Sequence, residues 1–318
     1  VHLGERHLTS AIVGIGHHLP PVVERAGAHR PIAVEPVGPS TLAATAAHDA
    51  LARAGLSPSD VDFIVFATMT PDVTFPGSGC YLQRQLGCGT IGALDVRAQC
   101  AGFLFGLVIA DRFIRAGMYR RVALVGAEVH SSGLDYTGEG VALARLYADG
   151  AGVAVVGAGA NGAGVRATAI HSNGREHRKF WCEYPASRQH PVRMTTQNLR
   201  DGLHFPKVQV DEVRRFGAAS LVSAINEVLQ AADLRMSQVD RLVIGHLLPE
   251  TAEEVGRQLG VPAARLSIPA ARHGHLTAAA LPVALSEDLA NGAVGPGATV
   301  CLAASGAGFC WGAAVLTL

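Results

Sequence analysis

One cysteine and two histidines stand where this chain could assemble a nucleophile with a general base. Cys100 lies in Asp95-Val-Arg-Ala-Gln-Cys100-Ala-Gly-Phe-Leu-Phe-Gly106. An apolar run at 91–96 before it reads as a strand, and 101–116 after it places Phe103, Leu107, Ala110 and Ile114 at helical spacing. A thiol at a helix start meets unpaired backbone N–H groups and the positive end of the helix dipole, both of which favour the thiolate. Gly102 and Gly106 keep that helix slim. His246 follows a second apolar run, 239–244, at the C-terminal end of an expected strand, where loops of open α/β sheets build sites. His275 lies as far before Gly292 as Cys100 lies before Gly117, and each glycine ends its helix. Two such helix starts brought together would pair Cys100 with His275, giving a nucleophile, a general base and backbone oxyanion donors. A lone cysteine is otherwise a small core residue, and Cys80, Cys88, Cys182, Cys301 and Cys310 are read that way.

The elements that must position these groups alternate between helix and strand. Expected strands are 8–16, 61–67, 121–126 and a run entered by the turn Asp149-Gly150-Ala151-Gly152; expected helices are 40–54, capped by Ser40, and 78–86. Residues 17–36 read as an irregular arm. The uncharged run 301–318 is broken by Ser305-Gly306-Ala307-Gly308 and reads as strand, turn, strand rather than a membrane span. Residues 51–65 match 229–243 with Val61 on Val239, and the same offset lays Arg121-Val-Ala-Leu124 on Thr299-Val-Cys-Leu302. The chain is therefore an α/β protein of two similar halves, residues 1–165 carrying the cysteine and 166–318 carrying the histidines. A polar excursion at about 173–207 separates them, too long for a plain connector. In it Trp181 and Tyr184 either line an acyl or aglycone pocket or anchor the excursion itself.

Composition narrows the function. The 318 residues carry a net charge of zero, which gives no footprint for nucleic acid or an acidic membrane. Six cysteines without a C-x-x-C pair, and no signal peptide, imply a reducing cytoplasm. The fourteen histidines show no metal-ligand spacing with a matching third ligand, so no metal is expected.

At these residues the chain resembles the thiolase superfamily, specifically the ketoacyl carrier-protein synthase III type. The matching pieces, which span nearly the whole chain, are Phe75-Pro76, the 95–102 cysteine motif, Asp149-Gly-Ala-Gly152, Arg272-His-Gly274 with Thr277-Ala-Ala, and Gly306-Ala-Gly-Phe-Cys-Trp-Gly312. The resemblance implies a thiolase fold of five layers, α-β-α-β-α, in a homodimer. It implies a Cys100 nucleophile that takes an acyl group from an acyl-phosphopantetheine carrier or acyl-CoA, with no permanently bound cofactor. It also implies an oxyanion site from the backbone N–H groups of Cys100 and Ala307.

The departures bear on the second half of the reaction. The asparagine of condensing members is His275 here. Their histidine falls on Gly245 without a gap, with His246 one place later; His246 or His275 is the base. Glu250, Glu253 and Glu254 make acidic an edge that is usually basic near the acyl carrier protein, while Arg214 and Arg215 remain to meet it. The arm that grips the nucleotide of coenzyme A is reduced to Gly27-Ala-His-Arg30. The segment 183–194 resembles the acyltransferase-like branch serving antibiotic pathways. The expected function is an acyltransferase that moves an acyl group through Cys100 to a small-molecule hydroxyl or a carrier thiol. The alternative is a decarboxylative ketoacyl synthase III that primes polyketide or fatty-acid synthesis. A non-catalytic partner subunit and a hydrolase are the remaining rivals.

Overall fold

A computed structural model describes residues 9–160, 162–188 and 191–318. Leu8 of the expected first strand, and Gln189 and His190 of the 183–194 segment, lie outside the described residues. The first half runs β1 (Ser10–His18), β2 (Val22–Arg25), β3 (Ala28–Pro31), α1 (Pro39–Arg53), β4 (Phe63–Ala67), α2 (Ser78–Leu86), β5 (Gly92–Val96), α3 (Gly102–Arg115), β6 (Arg121–Glu128), α4 (Val141–Ala144) and β7 (Gly150–Ala158). The second runs β8 (Gly164–Ser172), β9 (Phe180–Trp181), α5 (Thr196–Arg200), β10 (Lys207–Val208), α6 (Val210–Ala231), β11 (Arg241–Gly245) and α7 (Pro249–Gln258). It closes with β12 (Leu266–Ser267), α8 (Pro269–His273), α9 (Ala280–Ala290), β13 (Thr299–Gly306) and β14 (Cys310–Thr317).

Two five-stranded sheets hold the halves, ordered β1-β7-β6-β4-β5 and β8-β14-β13-β11-β12. They match strand for strand, including parallel pairing at β4–β5, β4–β6 and their mates β11–β12, β11–β13. Each strand of the sheet centres is apolar on both faces because both faces are covered. On β13, Val300, Leu302 and Ala304 join the central core, while Cys301 and Ala303 pack under the outer helices. Leu104 and Leu107 of α3 and Leu281 and Leu285 of α9 fill the space between the sheets. Leu42 of α1 and Leu82 of α2 cover one outer face; Leu221 of α6 and Val255 of α7 cover the other. The stack is α-β-α-β-α, as the resemblance implied.

Two local expectations change. The arm expected at 17–36 is ordered: β1 runs to His18, and β2 and β3 pair as a hairpin. Its turn is Ala26-Gly27, at φ 54° and 78°, the left-handed pair that matches strand twist. Ser40 does not cap α1. Pro39 starts that helix from Gly38, and the Ser40 hydroxyl donates instead to Asp72 at 2.7 Å. The excursion holds α5 and the paired strands β9 and β10.

Candidate active site

Cys100 is presented by a strained turn. After β5 the chain turns at Gln99, which takes φ 51°, and a single 3-10 turn, Gln99–Ala101, feeds α3. The second half repeats the device: Thr277 takes φ 47°, and the turn Thr277–Ala279 feeds α9. The two turns pack against each other. Helix starts therefore do meet, but Ala278, not His275, is the counterpart of Cys100. His275 lies three residues upstream, in extended chain. Its N–H donates to the Leu146 carbonyl at 2.6 Å, and its carbonyl accepts from Ala148 N–H at 3.1 Å. These bonds to the first half fix the backbone that aims the ring.

The ring reaches the thiol. His275 Nε2 stands 3.0 Å from Cys100 Sγ, with both residues buried at 0% and 2% exposure. Tyr147 packs edge-on against the imidazole at 5.4 Å between centroids. Burial, and then the neighbouring charge of Glu128, push the Cys100 thiol up to about 12, against hydrogen bonding from the backbone N–H groups of Cys100 and Ala307. Burial, followed by the charges of His130 and His246, holds His275 well below its usual 6.5. The resting pair is a thiol beside a neutral imidazole. The helix dipole alone favours thiolate, but complete desolvation outweighs it here.

The two backbone N–H groups expected as oxyanion donors bear on that same sulfur. Ala307 opens the turn between β13 and β14, and its N–H and that of Cys100 both bear on Sγ. Gly306 makes the close approach possible: a Cβ there would lie 2.6 Å from Sγ and 3.0 Å from the Cys100 nitrogen. Gly306→Ala is expected to cost about 1–3 kcal/mol of stability. It should also slow alkylation of Cys100 by iodoacetamide about tenfold or more, because the obstructing nitrogen is backbone. Thermal melts and alkylation time courses check both.

His246 occupies a different wall. Its side chain turns toward α6, where a Cβ on Gly217 would lie 2.3 Å from Nε2. Leu248 N–H donates to its Nδ1 at 3.0 Å, and burial lowers its pKa to about 4. Among the described residues the His246 ring makes no hydrogen bond to Cys100 or to the His275 ring, although the His246 backbone does bond to His275. The offset that lays Gly245 on the strand's inward position turns the next residue outward.

Trp181 lines a cavity of about 450 Å³ with Arg97, Gln99, Arg178, Arg188 and Ala307. Its floor is thus one residue from the nucleophile and on an oxyanion donor. Tyr184 is not part of that lining. A larger cavity of about 710 Å³, between the 134–144 and 199–208 segments, touches neither Cys100 nor His275. Arg214 pairs with Asp211 at 3.0 Å and with Glu250 at 3.5 Å, and Arg215 pairs with Glu212 at 2.6 Å. Both lie on α6 away from the cavity, so the cations at its mouth are Arg97, Arg178 and Arg188. Sequence reasoning also missed Glu128, His130 and Tyr147, buried polar groups around the pair. The signal was a glutamate and a histidine, two apart, closing the wholly apolar run of β6. No group of three His, Cys, Asp or Glu converges as a metal site among the described residues, and no helix there is long and apolar enough to cross a membrane.

Comparison with known proteins meets this geometry. The family 3-oxoacyl-[acyl-carrier-protein (ACP)] synthase III matches residues 94–174, and its C-terminal counterpart matches residues 229–318. The β-ketoacyl-[acyl-carrier-protein] synthase III of Rhizorhabdus wittichii is 36% identical over 304 residues, 93% of this chain and 89% of that protein. The protein of the same name from Rhodospirillum centenum is 35% identical, covering 97% and 99%. The crystal structure of 3-oxoacyl-[acyl-carrier-protein] synthase III from Aquifex aeolicus superposes with a TM-score of 0.87 at 26% identity, covering 97% of this chain and 100% of that one. The expected thiolase fold is therefore the fold observed. Motif, duplicated architecture and relatives agree that this chain belongs to the 3-oxoacyl-[acyl-carrier-protein] synthase III family, as a thioester-dependent transferase.

Proposed function

We propose that the chain loads an acyl group onto Cys100 from a phosphopantetheine thioester and condenses it with a carrier-bound malonyl group, as a β-ketoacyl synthase III. The observation that carries the first half is the 3.0 Å contact between His275 Nε2 and Cys100 Sγ under two backbone N–H groups. His275 takes the thiol proton as Sγ attacks the thioester carbon. The oxyanion forms against the N–H groups of Cys100 and Ala307. On collapse the carbon–sulfur bond to the donor breaks, and His275 returns the proton to the departing thiol. The arm, whether of carrier protein or coenzyme A, is substrate rather than resident cofactor. Arg97 and Arg178 in the cavity lining suit its phosphate, while Arg188 there pairs with Glu183 at 3.0 Å.

The second half follows the relatives' names. The malonyl carboxylate leaves as carbon dioxide, the resulting carbanion attacks the acyl carbonyl, and the Cys100 thiolate departs. In this reading residues 1–165 supply the nucleophile and 166–318 the imidazole. A homodimer is supported by β5, an edge strand with Leu94 40% exposed.

One observation favours a second reading, transfer of the finished acyl group to a hydroxyl or carrier thiol. His246 faces α6, so among the described residues a single imidazole stands in hydrogen-bond contact with the sulfur. Once Cys100 is acylated, that imidazole is a base for an O–H or S–H acceptor. Protein loaded with a short acyl group, followed by intact mass, and then given labelled malonyl carrier decides between them. Labelled carbon dioxide and a β-keto product are expected; a loaded protein that releases neither, yet discharges to an alcohol or thiol, replaces condensation with transfer.

A further inference from the structure

Glu128 is the last residue of β6 and has no exposed surface. Its carboxylate accepts from Thr68 Oγ1 at 3.1 Å, Met69 N–H at 3.1 Å, Thr70 N–H at 3.1 Å and Thr70 Oγ1 at 2.6 Å. His130 Nε2 stands 3.8 Å from it and 2.9 Å from Thr277 Oγ1, the residue whose left-handed backbone opens the second turn. The duplication sharpens the oddity. The offset that lays β6 on β13 lays Glu128 on Gly306. In the second half that position is empty so that Cys100 can lie against it; in the first half it holds a carboxylate. None of the acylation steps uses this group, yet it borders, through His130, the Thr277 turn that packs against the Cys100 turn, and its charge pushes the Cys100 thiol up.

We propose that Glu128 is a positioning residue of the acylation reaction, a buried negative charge that disfavours free thiolate at Cys100 and, with His130, clamps the Thr277 turn beside it. The consequence is that sulfur is unmasked only in concert with proton transfer to His275, when a thioester is seated. The donors from Thr68, Met69 and Thr70 carry no charge of their own. The titratable groups facing Glu128 are His130, Cys100 and Tyr147, with His275 beyond them. Burial raises Glu128 to about 7 against its hydrogen bonds, so the charge is absent below that pH and present above it.

The inference rests on Cys100 being the nucleophile, but its test needs no acyl donor. Alkylation of Cys100 by iodoacetamide is followed from pH 6 to 10 in the wild type, Glu128→Gln and Glu128→Asp, with thermal melts. Glu128→Gln is expected to react about tenfold faster at pH 8.5 and to begin reacting at lower pH, one charge having been removed from a poorly screened site. Glu128→Asp, which keeps the charge, should follow the wild type. A folded Glu128→Gln with an unchanged profile, or equal shifts in both variants, overturns the proposal. If Glu128→Gln does not fold, Thr70→Val decides, since it removes the 2.6 Å hydroxyl donor that favours the charged carboxylate. Faster alkylation than the wild type near pH 7.5 is expected, and an unchanged rate in the folded variant overturns the proposal. Failure to acylate from any thioester would sink the catalytic reading without changing these alkylation results.

Discussion

Cys100→Ala is expected to take up no acyl group from any thioester, and His275→Ala to load at a rate reduced by about 10²–10⁴. The size of the second effect follows from the resting state. With the thiol pushed up to about 12, almost no thiolate exists near neutrality, so attack must coincide with proton transfer to an acceptor already in contact. Among the described residues only His275 Nε2 is so placed, at 3.0 Å. Its ring is neutral across the physiological range, so loading in the wild type should show no rise through an imidazole titration between pH 6 and 8. The double variant should be no slower than Cys100→Ala, because the base has no task without the sulfur. His246→Ala is the control. It should load within about tenfold of the wild type while losing stability, since its ring fills a wall under α6. Intact-mass time courses read all four proteins. Loading lost equally in His246→Ala and His275→Ala would return the base to both histidines.

The parts of this site that were legible in sequence are those fixed by local chemistry or by repetition. The Cys100 turn announced itself through a strand, a small-residue helix and the motif between them. The two similar halves followed from one offset that carries β4 onto β11 and β6 onto β13, and their layering from the motifs shared with the family. Side-chain direction at a strand end was not legible. One residue decides which face is reached, and Gly245 faces inward while His246 faces α6. The thiol's protonation was misjudged because the dipole is visible in a sequence and burial is not. Glu128 and His130 were hidden for the same reason: an acidic residue after a strand usually meets water, and only the second half, folded back through Thr277, encloses these two. Arg214 and Arg215 looked free because their partners Asp211 and Glu212 are three residues away on the same helix face.

The stability of the protein is expected to fall steeply once the pH drops below about 6, and the site itself is the cause. His130 and His246 are lowered to about 3 and about 4 by burial, and His275 lies well below 6.5. Unfolded, each returns to 6.5 and binds a proton that the folded state refuses. Their contribution is therefore complete above the unfolded value and is lost as the pH falls toward the folded ones. Each costs about 1.4 kcal/mol per pH unit within that window. Glu128 acts in the opposite sense. Raised to about 7 from 4.5, it favours the folded state more as the pH falls through that interval, and offsets one of the three histidines. The net slope near pH 5.5 is about 3 kcal/mol per unit, a large share of a typical domain's stability. Urea denaturation at pH 7.5, 6.5 and 5.5 measures it, with a nearly constant midpoint between the first two and a collapse at the third. A midpoint unchanged at pH 5.5 would mean that these rings are hydrated or paired in solution. They would then not be the neutral, desolvated imidazoles that proton transfer from a buried thiol requires.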